Sequence, residues 1–104
     1  MKDRENPYTF GIWKVKPGKE EEFRKEWTAF AEWSSRNQIG AGTAYLLVDV
    51  DSPQTFISYG AWMNADLIAA WRGTPEFHAF AQRVRVLCDS FEPHLMTLVA
   101  MTGQ

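Results

Sequence analysis

Residues 55–91 read TFISYGAWMNADLIAAWRGTPEFHAFAQRVRVLCDSF, and the order of signals in this stretch decides the fold. The β-branched and aromatic residues from Thr55 to Trp62 predict a strand. Asn64 is a cap for the helix that follows. Leu67, Ile68 and Trp71 give that helix one apolar face, and Gly73 closes it. Thr74 then serves as a second cap, with Pro75 in the first helical position and Glu76 in the first turn, where a carboxylate complements the helix dipole. Phe77, Phe80, Ala81, Val84, Leu87, Cys88 and Phe91 recur at helical spacing, which predicts one long helix ended by Pro93.

Upstream of this stretch, Met1–Pro7 is polar and charged and reads as a flexible start, leaving residues 8–104 as a single domain. Tyr8–Val15 predicts a first strand stopped by Pro17-Gly18, and Gly11 inside it marks a bulge or a close approach. Lys19–Arg36 predicts a helix, with Phe23, Trp27, Phe30, Ala31 and Ser34 on one face. Glu20, Glu21 and Glu22 occupy its first turn, so this acidic run is a helix start with a solvated face and not a metal site. Gly42–Val50 predicts a second strand, joined by Asp51-Ser52-Pro53 to the third, Phe56–Trp62. Downstream, His94–Met101 predicts the last strand.

The resulting order, β-α-β-β-α-α-β, is a ferredoxin-like α+β plan with a four-stranded antiparallel sheet. Such a sheet, wet on one side, alternates apolar and polar residues. Here Tyr45-Leu-Leu-Val48 and Leu95–Met101 are apolar on both faces, and Phe56, Gly60 and Trp62 alternate with Ile57, Tyr59 and Ala61. The helices cover one face only. A second copy of the chain is the economical cover for the other, which predicts a homodimer.

Bulk composition bounds the function. The chain has 104 residues, of which 45% are hydrophobic and 23% charged, as in ordinary globular domains. Its five tryptophans, seven phenylalanines and three tyrosines are more aromatic area than a chain this size hides comfortably, so some should line a pocket or an interface. A net charge of −2 argues against a nucleic-acid partner. The polar start is no signal peptide and no apolar run reaches bilayer length, so neither secretion nor a membrane is expected, and the cytosol is the simplest location. The single cysteine, Cys88, excludes an internal disulfide and a cysteine-rich metal site.

Several stretches together resemble the antibiotic biosynthesis monooxygenase superfamily, the dimeric α+β barrels. They are Val15-Lys-Pro-Gly-Lys-Glu-Glu-Glu-Phe23, Tyr59-Gly-Ala-Trp62, the short helix carrying Trp71, and Thr74-Pro-Glu-Phe77. The resemblance spans about Thr9 to Ala100. It implies a ferredoxin-like subunit, a dimer, and a cavity between sheet and helices. It further implies a cofactor-independent monooxygenase acting on a small aromatic or polyphenolic substrate, or a dimeric domain that only binds such a molecule. In the quinone-forming branch, the pattern of Asn, then Trp four residues on, then Tyr six further on falls at Ser58, Trp62 and Ile68 and keeps the tryptophan. In the haem-degrading branch, the positions of Asn, Trp and His fall at Gly11, Trp71 and Ala81. No axial histidine is left for haem iron, so no cofactor is expected.

Within this frame, His78 is the candidate base, since its imidazole titrates near neutrality, and Tyr59 is a second catalytic candidate. Trp71, Trp62, Trp13, Tyr45 and Arg85 are the candidate substrate-binding residues. His94 reads as structural or exposed, and Cys88 as a space-filler within a helical stripe. The two histidines lack zinc-site spacing, so no metal is expected.

Overall fold

The computed structural model describes residues 7–103. Its elements are β1 (Pro7–Val15), α1 (Glu20–Asn37), β2 (Ala41–Asp49), β3 (Ser52–Trp62), α2 (Ala65–Arg72), α3 (Pro75–Arg85) and β4 (Cys88–Thr97). The strands form one four-stranded antiparallel sheet in the order β2-β3-β1-β4. This is the ferredoxin-like α+β arrangement expected from the element order. Residues 1–6 of the expected flexible start lie outside the described residues, and Pro7 already belongs to β1.

Local chemistry explains the helix starts. Asn64 Oδ1 accepts the Leu67 backbone N–H at 2.9 Å and opens α2. Thr74 Oγ1 accepts the Phe77 N–H at 3.1 Å and opens α3. The same hydroxyl donates to the Trp71 carbonyl at 2.8 Å, so one side chain ends α2 and begins α3. Gly73 and Pro75 flank it, as a helix stop and a helix start require. α1 has no side-chain cap and relies on Glu20, Glu21 and Glu22 in its first turn.

The end of α3 differs from the sequence expectation. The helix stops at Arg85, not at Phe91, and β4 starts at Cys88, six residues before the expected strand. Leu87 turns the chain: its N–H donates to the Val84 carbonyl at 3.0 Å and its carbonyl accepts from Lys16 N at 2.9 Å. The physical reason is the outer edge of β1. Pairing begins at Val15↔Cys88 and runs to Pro7↔Thr97, so the early start satisfies backbone groups along the whole strand. A strand begun at His94 would leave Gly11–Val15 unpaired on that side. Pro93 is tolerated because β4 is an edge strand. Cys88 is therefore a half-buried strand residue and not part of a helical stripe.

The sheet has two unlike faces. Trp13, Val15 and Phe56 face the helices and pack with Phe23, Phe30, Phe80, Val84 and Leu87 in the core. The register places Phe10, Ile12, Ile57, Tyr59, Tyr45 and Leu47 together on the opposite face. No helix among the described residues covers them. Tyr45 is 49% exposed, Leu47 52% and Met96 41%. No helix among the described residues is long and apolar enough to cross a membrane.

Candidate functional site

A cavity of about 590 Å³ lies between the helix-facing side of the sheet and the helices, within the range of small-molecule sites. Its floor is set by small residues. Thr9, Gly60 and Ala44 are paired across three strands, and Gly11 is paired with Ser58. Gly11 matters for a specific reason: a Cβ there would stand 2.8 Å from the Phe91 ring and 3.0 Å from Trp13 Nε1. The missing side chain lets Phe91 lie flat on Trp13, ring centroids 3.9 Å apart and planes 19° apart.

The walls are aromatic. Phe30, on α1, stacks on Phe80 at 4.3 Å and on Trp71 at 5.6 Å. Trp71 in turn meets Trp62 at 4.9 Å and Phe77 at 4.8 Å. Two of the four indoles that border the cavity are pinned by serine hydroxyls. Trp71 Nε1 donates to Ser34 Oγ at 2.9 Å, and Ser34 Oγ donates onward to the Phe30 carbonyl at 2.8 Å. Trp13 Nε1 donates to Ser58 Oγ at 2.9 Å. Among the described residues the Ser58 proton has no acceptor, so this hydroxyl retains a donor on the cavity floor. These bonds fix ring orientation as well as satisfying buried polar atoms.

Charged and ionisable groups on the wall are Arg72, Arg85, Asp89 and Cys88. Burial, with a smaller push from the Asp89 carboxylate and an opposing pull from Lys16, raises the Cys88 thiol to about 11. It stays protonated at neutral pH and is no nucleophile there.

The expected site residues separate into two groups. Trp71, Trp62, Trp13 and Arg85 share this one cavity. Tyr45 and Tyr59 do not bring their phenols to it: they are paired in register on the uncovered face, with rings 5.0 Å apart, and Tyr59 borders the cavity only as part of the floor strand. His78 is exposed and outside the lining, because its neighbours Phe77, Phe80 and Ala81 take the inward side of α3. His94 is on the uncovered face, against Phe10. Sequence reasoning did not single out Ser34, Ser58, Phe30, Phe80 or Arg72 as site residues. Ser34 and Ser58 had a legible signal, since each is the polar member of an otherwise apolar stripe.

Residues 11–83 match the family model described as antibiotic biosynthesis monooxygenase. The chain belongs to this family. SnoaB, a cofactor-independent oxygenase from Streptomyces nogalater, superposes with a TM-score of 0.87 at 21% identity, over 96% of this chain and 99% of that one. A protein from Nitrosomonas europaea gives 0.83 at 22% identity, over 95% of both chains. A conserved protein from Methanosarcina mazei gives 0.82 at 13% identity, over 92% and 95%. At these identities the likeness is one of fold. No curated protein sequence matches the chain.

This family member does not fit haem. Neither histidine lines the cavity, and the expected ligand position, Ala81, presents a methyl group to it. Among the described residues no group of three or more His, Cys, Asp or Glu side chains could hold a metal ion.

Proposed function

We propose that this protein is a monooxygenase that takes a flat aromatic or polyphenolic molecule into the cavity between sheet and helices, as a homodimer paired through the uncovered sheet face. The observation that carries the reading is the cavity itself, walled by Trp13, Phe30, Trp62, Trp71 and Phe80 with small residues beneath. A slot of this shape suits stacked rings and excludes water.

The chemistry needs no held oxidant other than dioxygen. An acidic C–H of an anthrone-type substrate loses its proton, and the carbanion passes an electron to dioxygen. The radical pair then joins to a C–O bond as a hydroperoxide. Loss of water leaves a carbonyl: the CH2 group and O2 become C=O and H2O. The residues on the wall contribute binding, dryness and one hydroxyl. Ser58, with its acceptor side occupied by Trp13, donates to a substrate oxygen and favours the enolate form. Asp89 is the one carboxylate on the lining among the described residues, and the proton goes to it or to water. In this reading neither His78 nor the Tyr59 phenol takes the proton, since His78 lies outside the lining and the Tyr59 ring lies against Tyr45 on the uncovered face.

Oxygen uptake with a panel of hydroquinones and anthrones tests this. The expected result is uptake by the wild-type protein, a fall of about tenfold or more in Ser58→Ala on loss of one oxyanion donor, and no change in His78→Ala. Absence of uptake with every member of the panel overturns the oxygenase reading. The second reading, a dimeric domain that binds a small aromatic molecule without converting it, is favoured by a lining that among the described residues holds no histidine and meets Tyr59 only along its strand, its ring lying against Tyr45 on the uncovered face. Tryptophan quenching without uptake would establish it.

A further inference from the structure

Trp13 borders the cavity, yet the stacking position on its indole is already taken. Phe23 and Phe80 meet it from the core at 5.1 Å and 6.2 Å, the first tilted by 52° and the second edge-on at 72°. The stacked partner is Phe91, with ring centroids 3.9 Å apart and planes 19° apart. Rings at that separation are in van der Waals contact, so no third ring fits between them. Phe91 differs from the two core rings in its surroundings. It comes from β4, an outer strand, and is 44% exposed, whereas the indole it covers is 5% exposed. In the register, Trp13 and Phe91 form the row that follows Gly11, Ser58 and Pro93. The small residues of the floor therefore end where this pair begins. Beyond it the same cavity is bordered by Cys88, Asp89 and Ser90 at the start of β4 and by Val84 and Arg85 on α3. Arg85, Asp89 and Ser90 are exposed, so the cavity meets water on that side.

We propose that Phe91 determines how many fused rings the cavity accepts, by occupying the face of Trp13 on which a further ring would stack. The inference rests on reading the cavity as a site for flat aromatic molecules, and it names the residue that sets their length. Phe91 is in effect a ligand ring supplied by the protein. With it in place, an occupant lying over Gly60 and Ser58 meets the Trp13–Phe91 pair as an end wall. With it removed, a flat apolar face opens toward water, and a ring laid on that face regains the lost contact. Gly11 gives Phe91 its seat, since a Cβ there would stand 2.8 Å from the ring. Because Phe91 is half in water on an edge strand, it can be changed while Phe23, Phe56 and Phe80 still close the core.

Two neutral probes that differ by one fused ring test this: anthraquinone and naphthacenequinone, titrated by quenching of tryptophan fluorescence. The quantity read is the ratio of their affinities. In Phe91→Ala the ratio is expected to move about tenfold toward the longer probe, the scale of one stacked aromatic pair. Anthraquinone affinity stays as in the wild type, which also reports an intact fold. In Phe91→Trp, which keeps a flat ring over the indole, the wild-type ratio is retained. Should Phe91→Ala lose both probes, Phe91→Leu decides: it keeps apolar bulk on the strand but cannot cover an indole face, so it must move the ratio the same way. A ratio unchanged in Phe91→Ala, or unchanged in Phe91→Leu where that variant decides, overturns the role of Phe91 and leaves the aromatic cavity standing. If neither probe binds the wild type or any variant, the aromatic-cavity reading itself fails and takes this one with it.

Discussion

Ser34 shows how one small hydroxyl governs a large wall. It is buried on α1 and stands 37 residues from Trp71, whose indole N–H it accepts. Ser34→Ala removes that acceptor and leaves the donor in a partly dry place. We expect a loss of about 1–2 kcal/mol in urea unfolding, the usual penalty for an abandoned buried donor, and a changed emission from the loosened indole. An unchanged unfolding midpoint would mean that water replaces the serine without cost. Ser34 was legible as a member of the α1 stripe; its partner was not, because nothing in the local sequence links it to Trp71. The same holds for Trp13 and Ser58, 45 residues apart. His78 shows how helical phase decides placement. It sits at the margin of a stripe, and a single residue of helical phase separates facing the cavity from facing water.

At the level of elements, the signals that read correctly were local ones. Asn64 and Thr74 cap because their side chains reach backbone N–H groups three residues on, an interaction written within four residues of sequence. The Thr74 cap also donates to the Trp71 carbonyl, so Thr74→Ala removes two bonds at the joint between α2 and α3. The expected cost is about 1–2 kcal/mol by denaturant unfolding, above that of Asn64→Ala at about 1 kcal/mol. A smaller effect at Thr74 than at Asn64 would show that the joint is held by packing alone. The boundary that misread was the end of α3. Leu87, Cys88 and Phe91 fit a helical repeat, yet they are claimed by the unpaired edge of β1, a demand that comes from the other end of the chain. Short apolar segments are decided by such distant needs, and periodicity cannot register them.

At the level of the molecule, the uncovered sheet face carries the proposed assembly. Phe10, Ile12, Tyr45, Leu47, Ile57 and Tyr59 lie together on it, and their doubly apolar strands were visible in the sequence before any cavity was. Pairing two copies through this face predicts a dimer by analytical ultracentrifugation at micromolar concentration. Leu47→Glu combined with Tyr45→Glu, on the face but away from the cavity, is expected to shift the protein to monomer, since a buried, unpaired carboxylate is strongly unfavourable at an interface. A wild-type protein that sediments as one copy would refute the pairing.

The sheet's rims carry a further consequence. β4 is an outer strand with Pro93, a residue that has no N–H, midway along it. β2, at the opposite rim, loses regular register between Ala41 and Ala44 and again between Val48 and Asp49. Interrupted rims are poor templates for an incoming strand. Growth of a continuous ribbon by strand addition is thereby discouraged at both sides, and the proposed union through the flat greasy surface would consume that surface in one step. Association of this kind ends at two copies instead of propagating into filaments.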